Sequence, residues 1–272
     1  MKKLEQKQYL IWNRKVEEFK MKSVVLCDNA EPEKILPLCE KYHLGIEIQG
    51  FYNPNKVDET QERLAMHKSI LPQNIEKHLH APFWDLCLGS NNQKIAEVTR
   101  YFFDYAYGVA DELGCESITV HHGYIPNTAF PPKWIKRSVA FWKDFFDAHP
   151  GTIRMCMENQ LEEEPSTLIG IIDSFQNDRL AVNLDIGHAH FASDLPVVDW
   201  IKQLNNRIKY VHMHQNHGKR DEHLGLRQGN MPLKEVLATL NAFAPEATWA
   251  LECNTEAMEE SIEFLVECGY IK

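Results

Sequence analysis

The sequence predicts an α/β fold, a (β/α)8 TIM barrel with an N-terminal extension. Three observations predict it. The chain has 272 residues, near the about 250 that an eight-fold barrel needs. Eight short apolar or β-branched runs alternate with segments of helical periodicity, the pattern of parallel strands joined by right-handed crossovers. Six of those runs carry a histidine or a carboxylate late in the run.

The elements follow in order. Residues 1–21 carry Tyr9, Leu10, Trp12, Val16 and Phe19 and read as an amphipathic arm or helix packed on the barrel. Residues 22–272 form one domain. Strands are expected at 22–27, 45–51, 77–83, 117–122, 154–158, 180–185, 208–214 and 248–253, where apolar and β-branched residues concentrate. A helix opens at Glu31-Pro32-Glu33, since acidic residues and proline suit a helix start; Pro37 leaves its register open. Residues 91–113 place Ile95, Val98, Tyr101, Phe102, Tyr105 and Val109 on one stripe. Helices are also expected at 132–148, 165–175, 196–204, 232–243 and 255–268.

Composition narrows the class. Hydrophobic residues are 44% and charged residues 25%, the balance of a globular protein with a large core, which excludes disorder, coiled coil and collagen. No run approaches the roughly 18 apolar residues of a membrane span, and Met1-Lys2-Lys3 leads into Glu5 and Gln6 rather than an apolar signal core. A cytoplasmic location is the expectation. The net charge of −10 argues against binding nucleic acid by general attraction, yet leaves room for bound cations in an acidic pocket. Seven cysteines without a CxxC pair read as buried reduced thiols. Thirteen histidines is the unusual count.

His80, His121, Glu158, Asp185, His212 and Glu252 stand late in the third to eighth strand runs. The carboxyl ends of barrel strands carry the active site, whereas the opposite end serves stability. Unpaired buried charges cost several kcal/mol each, so six such groups at one end call for a divalent cation that offsets the cost.

The motifs His80-Ala81-Pro82-Phe83, Val120-His121-His122-Gly123, Met157-Glu158-Asn159, Leu184-Asp185-Ile186-Gly187-His188, His212-Met213-His214-Gln215-Asn216, Asp221-Glu222-His223-Leu224 and Leu251-Glu252 come in an order that resembles the xylose-isomerase-like barrel superfamily. That superfamily holds sugar isomerases and epimerases together with abasic-site nucleases of the endonuclease IV type (AP endonuclease family 2). For the isomerases and epimerases the resemblance implies one divalent ion (Mn2+, Mg2+ or Zn2+) on Glu158, Asp185, His212 and Glu252. For the nucleases it implies three zinc ions, with His80, His121, His188, Asp221 and His223 joining those four.

Departures bear on the choice. The sixth-strand and seventh-unit stretches look more similar to the isomerase-like branch, although Gln215 stands where that branch usually has an acidic residue and Arg227-Gln228-Gly229 where it has Gly-Glu-Gly. The resemblance therefore implies an isomerase or epimerase of a sugar, sugar phosphate or related hydroxy-carbonyl compound. Glu158 and Glu252 would exchange protons as base and acid, with Glu47, His188 and Arg227 as substrate contacts. The alternatives are a multi-zinc phosphodiesterase acting at abasic sites in DNA, and a lyase or dehydratase of a polyol or keto-acid. A small carbohydrate is the expected partner, nucleic acid and membrane are not, and homo-oligomers are common among the proteins it resembles.

Overall fold

The computed structural model describes residues 21–272. The expected arm over 1–21 lies, Met21 excepted, outside the described residues. Eight parallel strands close on themselves in sequence order, β8 pairing with β1. They are β1 (Val24–Cys27), β2 (Gly45–Ile48), β3 (Lys77–His80), β4 (Ser117–His121), β5 (Arg154–Glu158), β6 (Leu180–Asp185), β7 (Ile208–Met213) and β8 (Thr248–Leu251). The helices around them are α1 (Pro32–Tyr42), α2 (Thr60–Ile70), α3 (Gln93–Leu113), α4 (Pro131–Ala148), α5 (Ser166–Phe175), α6 (Ile186–Ala192), α7 (Val197–Leu204), α8 (Leu233–Phe243) and α9 (Met258–Glu267).

Several strands stop short of their apolar runs. Residues such as Ala81, Phe83, His214 and Glu252 follow the last residue of a strand, so the runs continue into loops at the mouth. Two helices exceed the sequence reading. Thr60–Ile70 buries only Leu64 and His67, too little for a visible apolar stripe. The other, α6, starts directly on the end of β6.

Alternation along each strand separates two interiors. Leu26, Ile46, Leu79, Val120, Met157, Leu184, Val211 and Leu251 face outward and pack with Ile35, Phe103, Trp142, Ile171, Trp200 and Leu265 of the helices. Val25, Cys27, Cys156, Ala181, Tyr210 and Ala250 face the barrel axis. Counting on by two from the last four reaches Glu158, Asn183, His212 and Glu252, so the same period that builds the inner layer delivers the polar groups above it. All seven cysteines are free and five are buried; burial pushes the thiols of Cys39, Cys115 and Cys156 up to about 12, which keeps them protonated and inert. No helix among the described residues is long and apolar enough to cross a membrane.

Candidate active site

Strand register sets the first distances. His121 is level with Glu158 and Asp185 with His212 across neighbouring strands. Asp185 then caps α6, its Oδ1 accepting from the His188 backbone N–H at 2.6 Å, so His188 follows on the same side. Asn159 locks this corner. Its side chain donates to Asp185 O and accepts from Asp185 N–H, both at 2.9 Å. Gly187 permits the close approach of β7, since a Cβ there would collide with the imidazole of His214. Gly187→Ala is expected to destabilise the fold by about 1–3 kcal/mol through overpacking, measured by denaturant unfolding.

Beside a group of Cys27, Glu47, His212 and Glu252 behind the mouth, three further groups result, each with its ligand atoms within 4.8 Å of one another. His80, His121 and Glu158 form one; Glu158, Asp185, His212 and Glu252 a second; His188, His214, Asp221 and His223 a third. Glu158 belongs to the first two. Its Oε2 lies 3.1 Å from His121 Nε2 and 3.6 Å from His80 Nε2, and that buried oxygen makes no hydrogen bond. Its Oε1 lies 3.3 Å from His212 Nδ1 and 3.4 Å from His188 Nδ1. Glu252 Oε2 is 3.1 Å from the same His212 nitrogen.

The rings are held from behind. His80, His188 and His223 donate Nδ1–H to the backbone carbonyls of Ala81, Asn159 and Glu252 at 2.9, 2.8 and 2.7 Å. Each thereby aims Nε2 at a carboxylate: His80 at Glu158 (3.6 Å), His188 and His223 at Asp221 (3.3 and 2.9 Å). His212 is anchored the other way round, Nε2–H donating to Glu47 at 2.9 Å while Nδ1 faces the cluster.

The charges couple strongly. Burial would raise the Glu158 carboxyl, but His121 and His212 outweigh it and hold it well below the usual range. Burial would lower His212, but Glu252, Glu47 and Glu158 raise it well above the ordinary imidazole value. His188 is raised in the same way against burial by Asp185, Asp221 and Glu158. His223 reaches about 10, burial being outweighed by Asp221 and Glu252. His121 is lowered, because burial prevails there.

The structure brings together all nine residues of the larger set. Two expected substrate contacts are placed elsewhere. Glu47 is fully buried behind His212, sharing its Oε1 with Cys27 Sγ (3.6 Å) and Gln49 Nε2 (3.2 Å), so it orients an imidazole instead of facing the mouth. Arg227 pairs with Glu267 at 2.6 Å and Glu260 at 3.7 Å and lies over the Phe264 ring; neighbouring acids of α9 draw its guanidinium away from the cluster. The sequence reading does not include His214, although it sits two residues after His212, on the same face by strand period. Its Nε2 is 3.2 Å from Asp185 and its ring stacks on His223 at 4.2 Å. Nor does it include the buried His122–Glu162 pair, in which Glu162 also accepts from the Gln160 N–H at 2.6 Å. Nothing in spacing marks a partner 40 residues away.

A cleft of about 1210 Å3 opens beside the cluster, reaching His121, His188 and Asp221. Comparison with known proteins follows the same lines. An uncharacterised protein of Methanocaldococcus jannaschii is 29% identical over 188 residues, 65% of this chain and 64% of that protein; the chain thus spans less than two thirds of that relative. Among solved structures, a D-tagatose 3-epimerase-like protein is 23% identical over 91% of this chain and 96% of its own, TM-score 0.74. A Thermus thermophilus protein soaked with ZnCl2 is 23% identical over 90% and 97%, TM-score 0.76. These two likenesses carry the fold. The xylose isomerase-like TIM barrel model matches residues 43–268, most of the chain, and the protein belongs to that family.

Proposed function

We propose that the protein is a divalent-metal-dependent isomerase or epimerase of a sugar or related hydroxy-carbonyl compound. One observation carries the reading: Glu158 and Glu252, delivered by β5 and by the end of β8, flank the same nitrogen of His212 at 3.3 and 3.1 Å. The donor set fits a divalent cation. Carboxylates of Glu158, Asp185 and Glu252 and an imidazole anchored by its far nitrogen match the mixed O/N preference of Mn2+, Mg2+ or Zn2+, and Glu158 Oε2 is a buried oxygen without a hydrogen bond. When bound, such an ion would stabilise negative charge developing on adjacent carbonyl and hydroxyl oxygens.

The chain's own groups then move the proton. One of Glu158 and Glu252 takes the hydrogen from the hydroxyl-bearing carbon, whose electron pair shifts into the neighbouring carbonyl to give an enediolate. The other returns a proton to carbon or oxygen, and the product differs in configuration or carbonyl position. Asp185 and His212 hold position. Incubation of ketoses with the Mn2+-loaded protein in D2O, followed by proton NMR, tests this: deuterium entering beside the carbonyl supports it, and no exchange in any ketose or aldose sinks it.

Glu47 supports His212 from behind. Glu47→Gln is expected to weaken divalent-ion affinity about 10–100-fold, the usual effect of losing a ligand's hydrogen-bond partner, read by competition with a coloured chelator.

A second reading, a multi-zinc phosphodiesterase on DNA, is favoured by one feature, the overlapping ligand groups, two of which share Glu158. Ion counting on protein purified without chelator separates the two. Three tightly held zinc ions per chain would favour the phosphodiesterase; one exchangeable ion favours the isomerase.

A further inference from the structure

The cleft beside the cluster is larger than a simple sugar needs. Its volume of about 1210 Å3 exceeds the roughly 300–1,000 Å3 of pockets that enclose drug-sized ligands, and a monosaccharide is smaller still. Beside His121, His188 and Asp221, its wall is formed by the start of α4 with the loops after β3 and β4. Trp84 and Phe130 stand on that wall 42% and 64% exposed.

Two cations also lie on it, Lys133 and Arg137. Their spacing of four puts both on one face of α4. Arg137 donates Nε–H to Gly89 O at 2.7 Å, which fixes the guanidinium at the cleft. Neither residue forms an ion pair among the described residues. Lys133 stands in the first turn, where a positive charge opposes the helix macrodipole, so helix stability does not account for it. Of the carboxylates on the lining, Asp221 is engaged by His188 and His223. Asp85 alone remains to face two cations, on a chain whose net charge is −10.

We propose that this cleft receives an elongated, anionic substrate: its reacting hydroxy-carbonyl end passes His121 and His188 to meet Glu158, which lies 3.1 and 3.4 Å from them, and a phosphate or carboxylate at its other end lies against Lys133 and Arg137. The inference rests on the isomerase reading for the reacting end and on the cleft alone for the anionic end. An anion meeting a planar guanidinium and an ammonium gains charge-assisted hydrogen bonds, while the apolar rim covers the carbon chain between.

The test has two arms that fail separately. In the first, D2O exchange is measured for D-ribulose, its terminal phosphate ester and a keto-aldonic acid of the same length, with the Mn2+-loaded protein. An anionic member should exceed the neutral one in kcat/KM by at least about tenfold, and Lys133→Glu should bring that ratio towards one; which anion leads tells phosphate from carboxylate. In the second, calorimetry compares binding of D-ribose and its terminal phosphate to the same loaded protein and to Lys133→Glu, with Arg137→Lys as a milder variant that keeps the charge but loses the Nε contact. Tighter phosphate binding that weakens about tenfold in Lys133→Glu supports the anionic site even if no exchange occurs, an outcome that would defeat only the isomerase reading. Equal handling of charged and neutral members in both arms overturns the proposal. So does binding of abasic duplex DNA with no competition from either small anion.

Discussion

Glu158→Gln is expected to lower kcat for the exchange reaction by about 100- to 10,000-fold, the range that a positioned acid or base contributes. The amide keeps the shape but neither takes nor returns a proton. It also removes the charge that balances His121 and His212, so affinity for the divalent ion should fall with it. Saturating ion separates the two effects: if added Mn2+ restores full kcat, Glu158 is a ligand only and the proton-transfer role is wrong. Glu252→Gln should behave alike, and a wild-type rate in either variant would remove that residue from the chemistry.

Much of the barrel was legible because its two periods are written plainly. Runs such as Leu180–Asp185 and Arg154–Glu158 are β-rich, bounded and followed by helical stripes, and their boundaries match the structure. The helix Thr60–Ile70 was not legible, because Thr60-Gln61-Glu62-Arg63 and His67-Lys68-Ser69 leave it too polar for a stripe. The nine grouped residues were legible through their place at the strand ends and through family resemblance. What the sequence could not display is which nitrogen each imidazole presents. That depends on carbonyls such as Asn159 O behind His188, set by the backbone path. Arg227 shows the converse, a loop cation near the motifs in sequence whose partners on α9 become visible only in three dimensions.

Stripping divalent ions should lower the melting temperature and reverse its pH dependence above neutrality. At a free-ion concentration about 1,000 times the dissociation constant, ligation adds about 4 kcal/mol. For a domain of this size that corresponds to roughly 8–16 °C. In the stripped protein His188, His212 and His223 hold protons against neighbouring carboxylates. His223 rises from 6.5 to about 10, and His188 and His212 rise well above 6.5. A raised group contributes stability fully below its unfolded value, and that contribution is lost as pH climbs through the folded one. Glu47 is lowered from 4.5 to about 2, so its contribution is present above 4.5 and lost as pH falls towards 2. The stripped protein should therefore be most stable between about pH 4.5 and 6.5. Ion binding needs neutral imidazoles and releases their protons, so the gain on loading should grow as pH rises towards about 10, where His223 loses its proton unaided. Calorimetry in buffers of different ionisation enthalpy reads those protons directly. A loading enthalpy independent of buffer, together with an unchanged melting temperature, would show that the cluster holds its charges without an ion.

The junction of β1 with β8 has a consequence for how the protein comes into being. Ser23 O accepts from Trp249 N–H at 2.9 Å and Lys22 N–H donates to Tyr270 O at 2.9 Å, so the described segment is stitched shut by its two ends. Glu252 follows β8 directly and is the last of the nine grouped residues in sequence. A ribosome releasing the chain from its amino end therefore exposes His80, His121, Glu158, Asp185 and His212 before the carboxylate that completes their set exists. Ring closure and completion of the grouped carboxylates thus await β8, and a chain cut before Thr248 should show neither a cooperative melt nor stoichiometric ion uptake.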